Sequence, residues 1–110
     1  MIARNLDGEP YDPNDPEQVV CLRKAKCYVD RTVDPPVIRV IVSENDYEII
    51  GWVWLREDGT LKKHGINGVK VVENGRFFVY KGTKYPPGIY YLIRKDGREF
   101  LVSEAFLNTL

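Results

Sequence analysis

The chain has 110 residues, 44% hydrophobic and 29% charged, with sixteen Lys/Arg balancing sixteen Asp/Glu. That length suits one domain with a core of its own, and that composition excludes a low-complexity, collagen-like or disordered chain. The zero net charge excludes the strongly basic class of nucleic-acid binder, although it hides an asymmetry. Residues 1–60 carry seven Lys/Arg against twelve Asp/Glu, and residues 61–110 carry nine against four. Such halves either present a bipolar surface or pair with each other inside the fold, and cross-strand pairing of opposite charge is the simpler expectation.

Residues 1–15 read as an acidic, proline-rich leader, because Pro10 and Pro13 interrupt any apolar period. The N-terminal stretch lacks the apolar segment of a signal peptide, and the apolar run Ile49 to Leu55 is far too short for a membrane helix. An intracellular (cytoplasmic) protein with no membrane partner is therefore expected. Asp15-Pro16-Glu17-Gln18 has the pattern of a helix start, with Asp as cap and Pro at the first helical position. The preferred reading is a short helix over residues 16–27, ending in the cations Arg23, Lys24 and Lys26. Val19-Val20-Cys21-Leu22 also suits a buried strand. Cys21 and Cys27 stand six apart, beyond disulfide reach on a regular helix or strand, and with His64 as the only histidine a zinc site lacks ligands.

From Asp34-Pro35-Pro36 onward the pattern is β. Val37 to Val42 is apolar on both faces and reads as a central strand. Asn45-Asp46 reads as a turn. Tyr47 to Arg56 is the next strand, with Gly51 as a bend or bulge. Three turn signals follow: Asp58-Gly59, Asn74-Gly75 and Asp96-Gly97. Asn, Asp and Gly tolerate the positive φ of a type I′ hairpin loop, so each predicts a two-residue hairpin. The first sets Trp54 against Lys63 and Val53 against His64. The second joins residues 69–72 and 76–81 and opposes Val72 to Phe77 and Val71 to Phe78. The third joins 89–95 and 98–103 and opposes Arg94 to Glu99, Ile93 to Phe100, Leu92 to Leu101 and Tyr91 to Val102. Shifting the third register by one residue would scramble a charge pair and three apolar pairs. Ala105 to Leu110 reads as a tail or one helical turn. The expected fold is a single mainly-β domain: a meander forming a small barrel or a bent antiparallel sheet of six to seven strands, with α+β as the alternative.

No catalytic or cofactor motif stands out. His64 reads as a loop or surface histidine, and no glycine-rich loop has the spacing that cradles phosphates. The segment Lys84-Tyr85-Pro86-Pro87-Gly88-Ile89-Tyr90 resembles the Thr-Pro-x-Gly-x-Phe segment of L,D-transpeptidase-type domains over seven residues. That family's Ser-His-Gly-Cys stretch has no counterpart downstream, so no residue role carries over, and Pro-Pro-Gly reads as a tight turn leading into a strand. The expectation is a non-enzymatic protein without cofactor or metal.

A binding face is the sharper expectation. Residues 76–98 hold six Lys/Arg against Asp96 alone, interleaved with Phe and Tyr. Aromatic planes between cations suit single-stranded nucleic acid, where bases stack and phosphates meet Lys or Arg. Strand alternation puts Lys70, Val72, Phe77, Val79 and Lys81 on one side of the second hairpin, and Tyr90, Leu92 and Arg94 on one side of the third. The sides carrying the cations are expected to face solvent, which nominates Lys70, Phe77, Lys81, Lys84, Tyr85, Tyr90 and Arg94. The bland alternative makes those aromatics core and the cations rim decoration. A second function class is a protein partner or homodimer held through an apolar aromatic patch, as in a virus- or plasmid-borne inhibitory accessory protein.

Overall fold

The computed structural model describes Pro10 and residues 25–34, 36–42 and 45–107. Among the described residues nine strands make two antiparallel sheets: β1 (Ala25–Asp30), β2 (Val37–Val42), β3 (Asn45–Leu55), β4 (Leu61–His64), β5 (Lys70–Val72), β6 (Phe77–Tyr80), β7 (Thr83–Tyr85), β8 (Gly88–Lys95) and β9 (Arg98–Ser103). One helical turn, α1 (Glu104–Leu107), closes the described chain. The large sheet runs β1-β2-β3-β8-β9 with β4 added on β3, and the small sheet runs β5-β6-β7. The expected antiparallel, meandering, mainly-β fold is present as an open sheet with a second sheet beside it, not as a closed barrel.

The 11-residue β3 organises the large sheet. One of its edges pairs with β8 over Glu48 to Leu55. The other edge is shared in series, by β2 along Asn45 to Ile49 and by β4 along Trp52 to Leu55. The changeover falls at a bulge, where Ile50 is the extra residue between the Ile49↔Ile93 and Gly51↔Leu92 pairs. Gly51 is required there. A Cβ at Gly51 would lie 2.7 Å from the carbonyl oxygens of His64 and Gly65, and one at Gly65 would lie 2.4 Å from that of Ile50. Two backbones touch without side chains between them, so β4 leaves the sheet as it passes the bulge.

The second and third hairpins have the registers expected of them, Val72↔Phe77 and Arg94↔Glu99 included. Asn74 and Asp96 take the positive φ (57° and 52°) that a type I′ turn demands of its first central residue. The Asp58 hairpin differs by one residue. Trp54 faces Lys62 and Val53 faces Lys63, because the Gly59 amide donates to the Arg56 carbonyl and the Arg56 amide to the Thr60 carbonyl. This is a three-residue loop, type I followed by Gly59 at φ +88°, and it removes the awkward Val53–His64 pairing. Asn45 and Asp46 lie within β3, since Asn45 already pairs with Val42, so the turn comes earlier than expected.

Two further strands escaped sequence reading. Thr83–Tyr85 pairs with β6 across Lys81-Gly82. Residues 25–27, placed at the end of the expected helix, belong to β1; residues 16–24 and the leader, Pro10 apart, lie outside the described residues.

Alternation sorts the large sheet into two apolar faces. One carries Ile38, Tyr47, Ile49, Trp52 and Tyr91, with Leu107 of α1 packed among them. The other carries Val53, Leu55, Tyr90 and Leu92, and is covered by Phe78 of the small sheet and by Ile66. The strands at the centre are therefore buried on both sides, which is why β8 reads Ile-Tyr-Tyr-Leu-Ile without polar alternation. The charge halves meet where Glu48 of the acidic half lies beside Arg94 of the basic half, 3.7 Å apart. Among the described residues no helix is long and apolar enough to cross a membrane.

Candidate functional site

The small sheet separates the nominated residues into those it hides and those it displays. Its inner side buries Phe78 completely. Tyr85 stacks on Phe78 with ring centroids 5.0 Å apart, and Tyr90 meets both edge-on at 5.2 and 5.3 Å. These offset and T-shaped contacts satisfy the aromatic quadrupoles internally. The Tyr90 hydroxyl donates to the Pro86 carbonyl at 2.7 Å and so pins the Pro86–Gly88 corner where the chain passes from the small sheet to the large one. Burial raises the Tyr90 phenol above its ordinary pKa, with the neighbouring Tyr85 adding to the shift, so the hydroxyl stays a neutral donor.

Tyr90 is thus a core residue, 8% exposed, and cannot stack a base. The expectation that its side of the third hairpin faces solvent is corrected. Tyr90, Leu92 and Arg94 do share a side, but the small sheet covers the first two and stops short of the third. Tyr85, half-buried in the same aromatic cluster, is committed to the inner side. Arg94 is exposed on a different surface from the remaining candidates.

Of those remaining candidates, Lys70, Phe77 and Lys84 come together. On the outer side of the small sheet Lys70, Val79 and Lys84 form one cross-strand row, and Val72 and Phe77 form the next. Lys70, Lys81 and Lys84 are exposed and Phe77 is half-buried. The Lys84 ammonium lies over the Phe77 ring, 5.1 Å from its centroid, and also pairs with Glu73. Lys81 occupies the β6–β7 turn, with its ammonium 5.4 Å from the Tyr80 ring centroid. Arg76 is exposed beside the Asn74 turn. Between residues 69 and 86 four Lys/Arg stand against one acid, Glu73.

Lys81 takes φ +48°, a left-handed conformation that costs an ordinary residue about 1–2 kcal/mol. The other two-residue turns put Asn74 and Asp96 at the equivalent place. A cation therefore sits where turn chemistry favours Asn or Asp, which is also why the Lys81-Gly82 turn was not recognised in the sequence.

A second cluster was missed altogether. Tyr28, Arg39, Glu48, Arg94 and Glu99 are successive cross-strand neighbours over β1, β2, β3, β8 and β9, on the same sheet face as the small sheet but beyond the part it covers. Arg39 is fixed between two acids: its Nε donates to Asp30 Oδ2 and its Nη1 to Glu48 Oε1, both at 2.6 Å. Asp30 also accepts from the Thr32 hydroxyl and amide. The Thr32 hydroxyl, then Arg39 and the Thr32 amide, hold the Asp30 carboxyl down at about 2. The sequence signal was the lone charge of an otherwise apolar strand, Arg39 in β2, opposite the acidic start of β3. Such a charge must find a cross-strand partner.

No protein-family model matches the chain, and no curated protein or solved structure is significantly similar to it.

Proposed function

We propose that the protein is a non-enzymatic binding module that takes single-stranded nucleic acid on the outer side of its small sheet. One observation carries this reading: Phe77 shares the outer side of the small sheet with Lys70 and Lys84, and the Lys84 ammonium lies over its ring. The Phe77 ring offers a stacking plane, and Lys70 and Lys84 offer phosphate partners beside it. A three-stranded sheet is roughly 10 Å across at ~4.8 Å per strand, room for two or three nucleotides. Affinity from one stacked base and a few phosphates is modest and strongly salt-dependent. Tyr85, Tyr90 and Arg94 have no part in this version.

A protein partner is the second reading. It is favoured by two exposed aromatics outside this patch, Phe100 at 47% and Phe106 at 53%.

Fluorescence anisotropy with labelled single-stranded oligonucleotides over a salt series tests the proposal. The logarithm of affinity falls linearly with the logarithm of salt, and Lys70→Ala/Lys84→Ala makes that slope shallower by about 0.7 per lost phosphate contact. Arg94→Ala leaves the slope unchanged. An absence of binding at low salt ends this reading and moves the weight to the protein partner.

A further inference from the structure

The two arginines flanking Glu48 differ in a way the fold does not need. Arg39 has two contacts of 2.6 Å. Arg94 lies on the other side of the same carboxylate, and among the described residues its ion pairs are no shorter than 3.5 Å, to Glu99 Oε1, with 3.7 Å to Glu48 Oε2. Its side chain is 47% exposed. A guanidinium offers five donors in a rigid planar fork, and here the fork is only loosely engaged.

Two cavities adjoin Arg94, and both are also lined by Glu48. One, of about 190 Å³, is lined by Tyr28, Arg39, Tyr47 and Lys95 as well. Tyr47 is 6% exposed, and its hydroxyl lacks a hydrogen-bond partner. The other, of about 300 Å³, runs toward the small sheet between Val33, Val37, Ile50 and Gly65, with Glu99 and Asp34 at its margin. The second cavity is thus a groove in which an under-used guanidinium stands beside branched apolar side chains.

We infer that this groove binds a carboxylate ligand whose charged end docks on Arg94 and whose short apolar body lies over Val37 and Ile50. The chemistry selects against phosphate. Glu48, Glu99 and Asp34 line the same cavity as Arg94, and Asp96 lines the adjoining one, so repulsion grows with every further negative charge on a ligand. A single planar carboxylate matches the fork in two parallel hydrogen bonds and needs only to displace the 3.5 Å contact to Glu99. The site is separate from the outer side of the small sheet, so it stands whether or not nucleic acid binds there.

NMR titration of the isotope-labelled protein with N-acetylvaline tests the inference, with acetate and valinamide beside it. N-acetylvaline shifts the Arg94 Nε–H resonance and the amides of Glu48, Val37 and Ile50 along a saturable curve. Acetate, lacking the apolar body, binds roughly tenfold or more weakly. Arg94→Gln abolishes saturation. Glu99→Gln, which removes the competing carboxylate without touching the anchor, tightens binding a few-fold and keeps the test open should Arg94→Gln misfold. A capped tripeptide ending in valine that binds more tightly than N-acetylvaline identifies a peptide C-terminus as the natural source, and equal binding identifies a small acid. The inference is overturned by shifts that never saturate, by saturation preserved in Arg94→Gln, or by valinamide binding in place of N-acetylvaline.

Discussion

The same three strands, β3, β8 and β9, finish one sheet face in two different ways. Toward the Pro86–Gly88 corner they present Val53, Tyr90, Leu92 and Leu101, and the small sheet seals this half with Phe78. Toward the Asp96 turn they present Glu48, Arg94 and Glu99, and this half stays open. The changeover takes one step of the two-residue period on each strand: Ile50 to Glu48, Leu92 to Arg94, Leu101 to Glu99. A second layer ends where the row beneath it becomes charged, because burying that row would remove water from several ions whose mutual attraction repays little of the cost. The covered half supplies stability. The open half is free to be a surface.

The largest expected effect comes from breaking the covered half. Phe78→Ala removes a completely buried ring that touches Tyr85 and Tyr90, and destabilises the protein by about 3–5 kcal/mol in chemical denaturation. A loss under about 1 kcal/mol would mean that the two sheets do not share a core.

The open half is sharpened by comparing its arginines. Arg94→Ala stays within about 0.5 kcal/mol of wild type, as exposed, loosely held ion pairs do. Arg39→Ala lowers the melting temperature visibly more, since it strips Asp30 of a 2.6 Å partner and Glu48 of its shortest one. Equal effects would show that the contrast in contact distance has no energetic counterpart.

The smallest effect is a pH dependence. The Asp30 carboxyl is lowered in the folded state from 3.8 to about 2, so between those values the unfolded chain binds more protons than the folded one. The stability due to Asp30 is therefore full above pH 4 and is lost as the pH falls through about 2. Wild type loses denaturation midpoint over that window relative to Asp30→Asn, whose midpoint is flatter there. Parallel curves would remove Asp30 from the acid response.

What sequence reading reached, and what it missed, follows from this contrast between local and layered information. The Asn74 and Asp96 hairpins were legible to the residue, because turn chemistry and cross-strand pairing are decided within about ten positions. The Asp58 loop was one residue out, since Asp-Gly serves a two-residue turn and a type I turn with a bulge equally well. The Lys81 turn was hidden because its first central residue is not one that prefers positive φ. Alternation correctly grouped Tyr90 with Arg94, but it cannot say how far along a strand a second sheet extends. That boundary sits in residues 70–85, which Tyr90 meets only after folding. Lys70 was placed beside Phe77 for the opposite reason: their shared side follows from alternation within a single hairpin.

The small sheet also bears on the order in which the chain assembles. Pairing β3 with β8 joins residues 48–55 to residues 88–94 and so closes a long loop. That loop contains β4 and the entire β5–β7 meander, whose two tight turns involve only neighbouring residues. Local hairpins form in microseconds, well before distant strands find each other. Once the meander has formed, the intervening chain is a compact block with fewer free segments, and the entropy of bringing β8 back to β3 falls accordingly. The layer that caps the finished core thereby serves, during folding, as the spacer that brings the core's two central strands within reach.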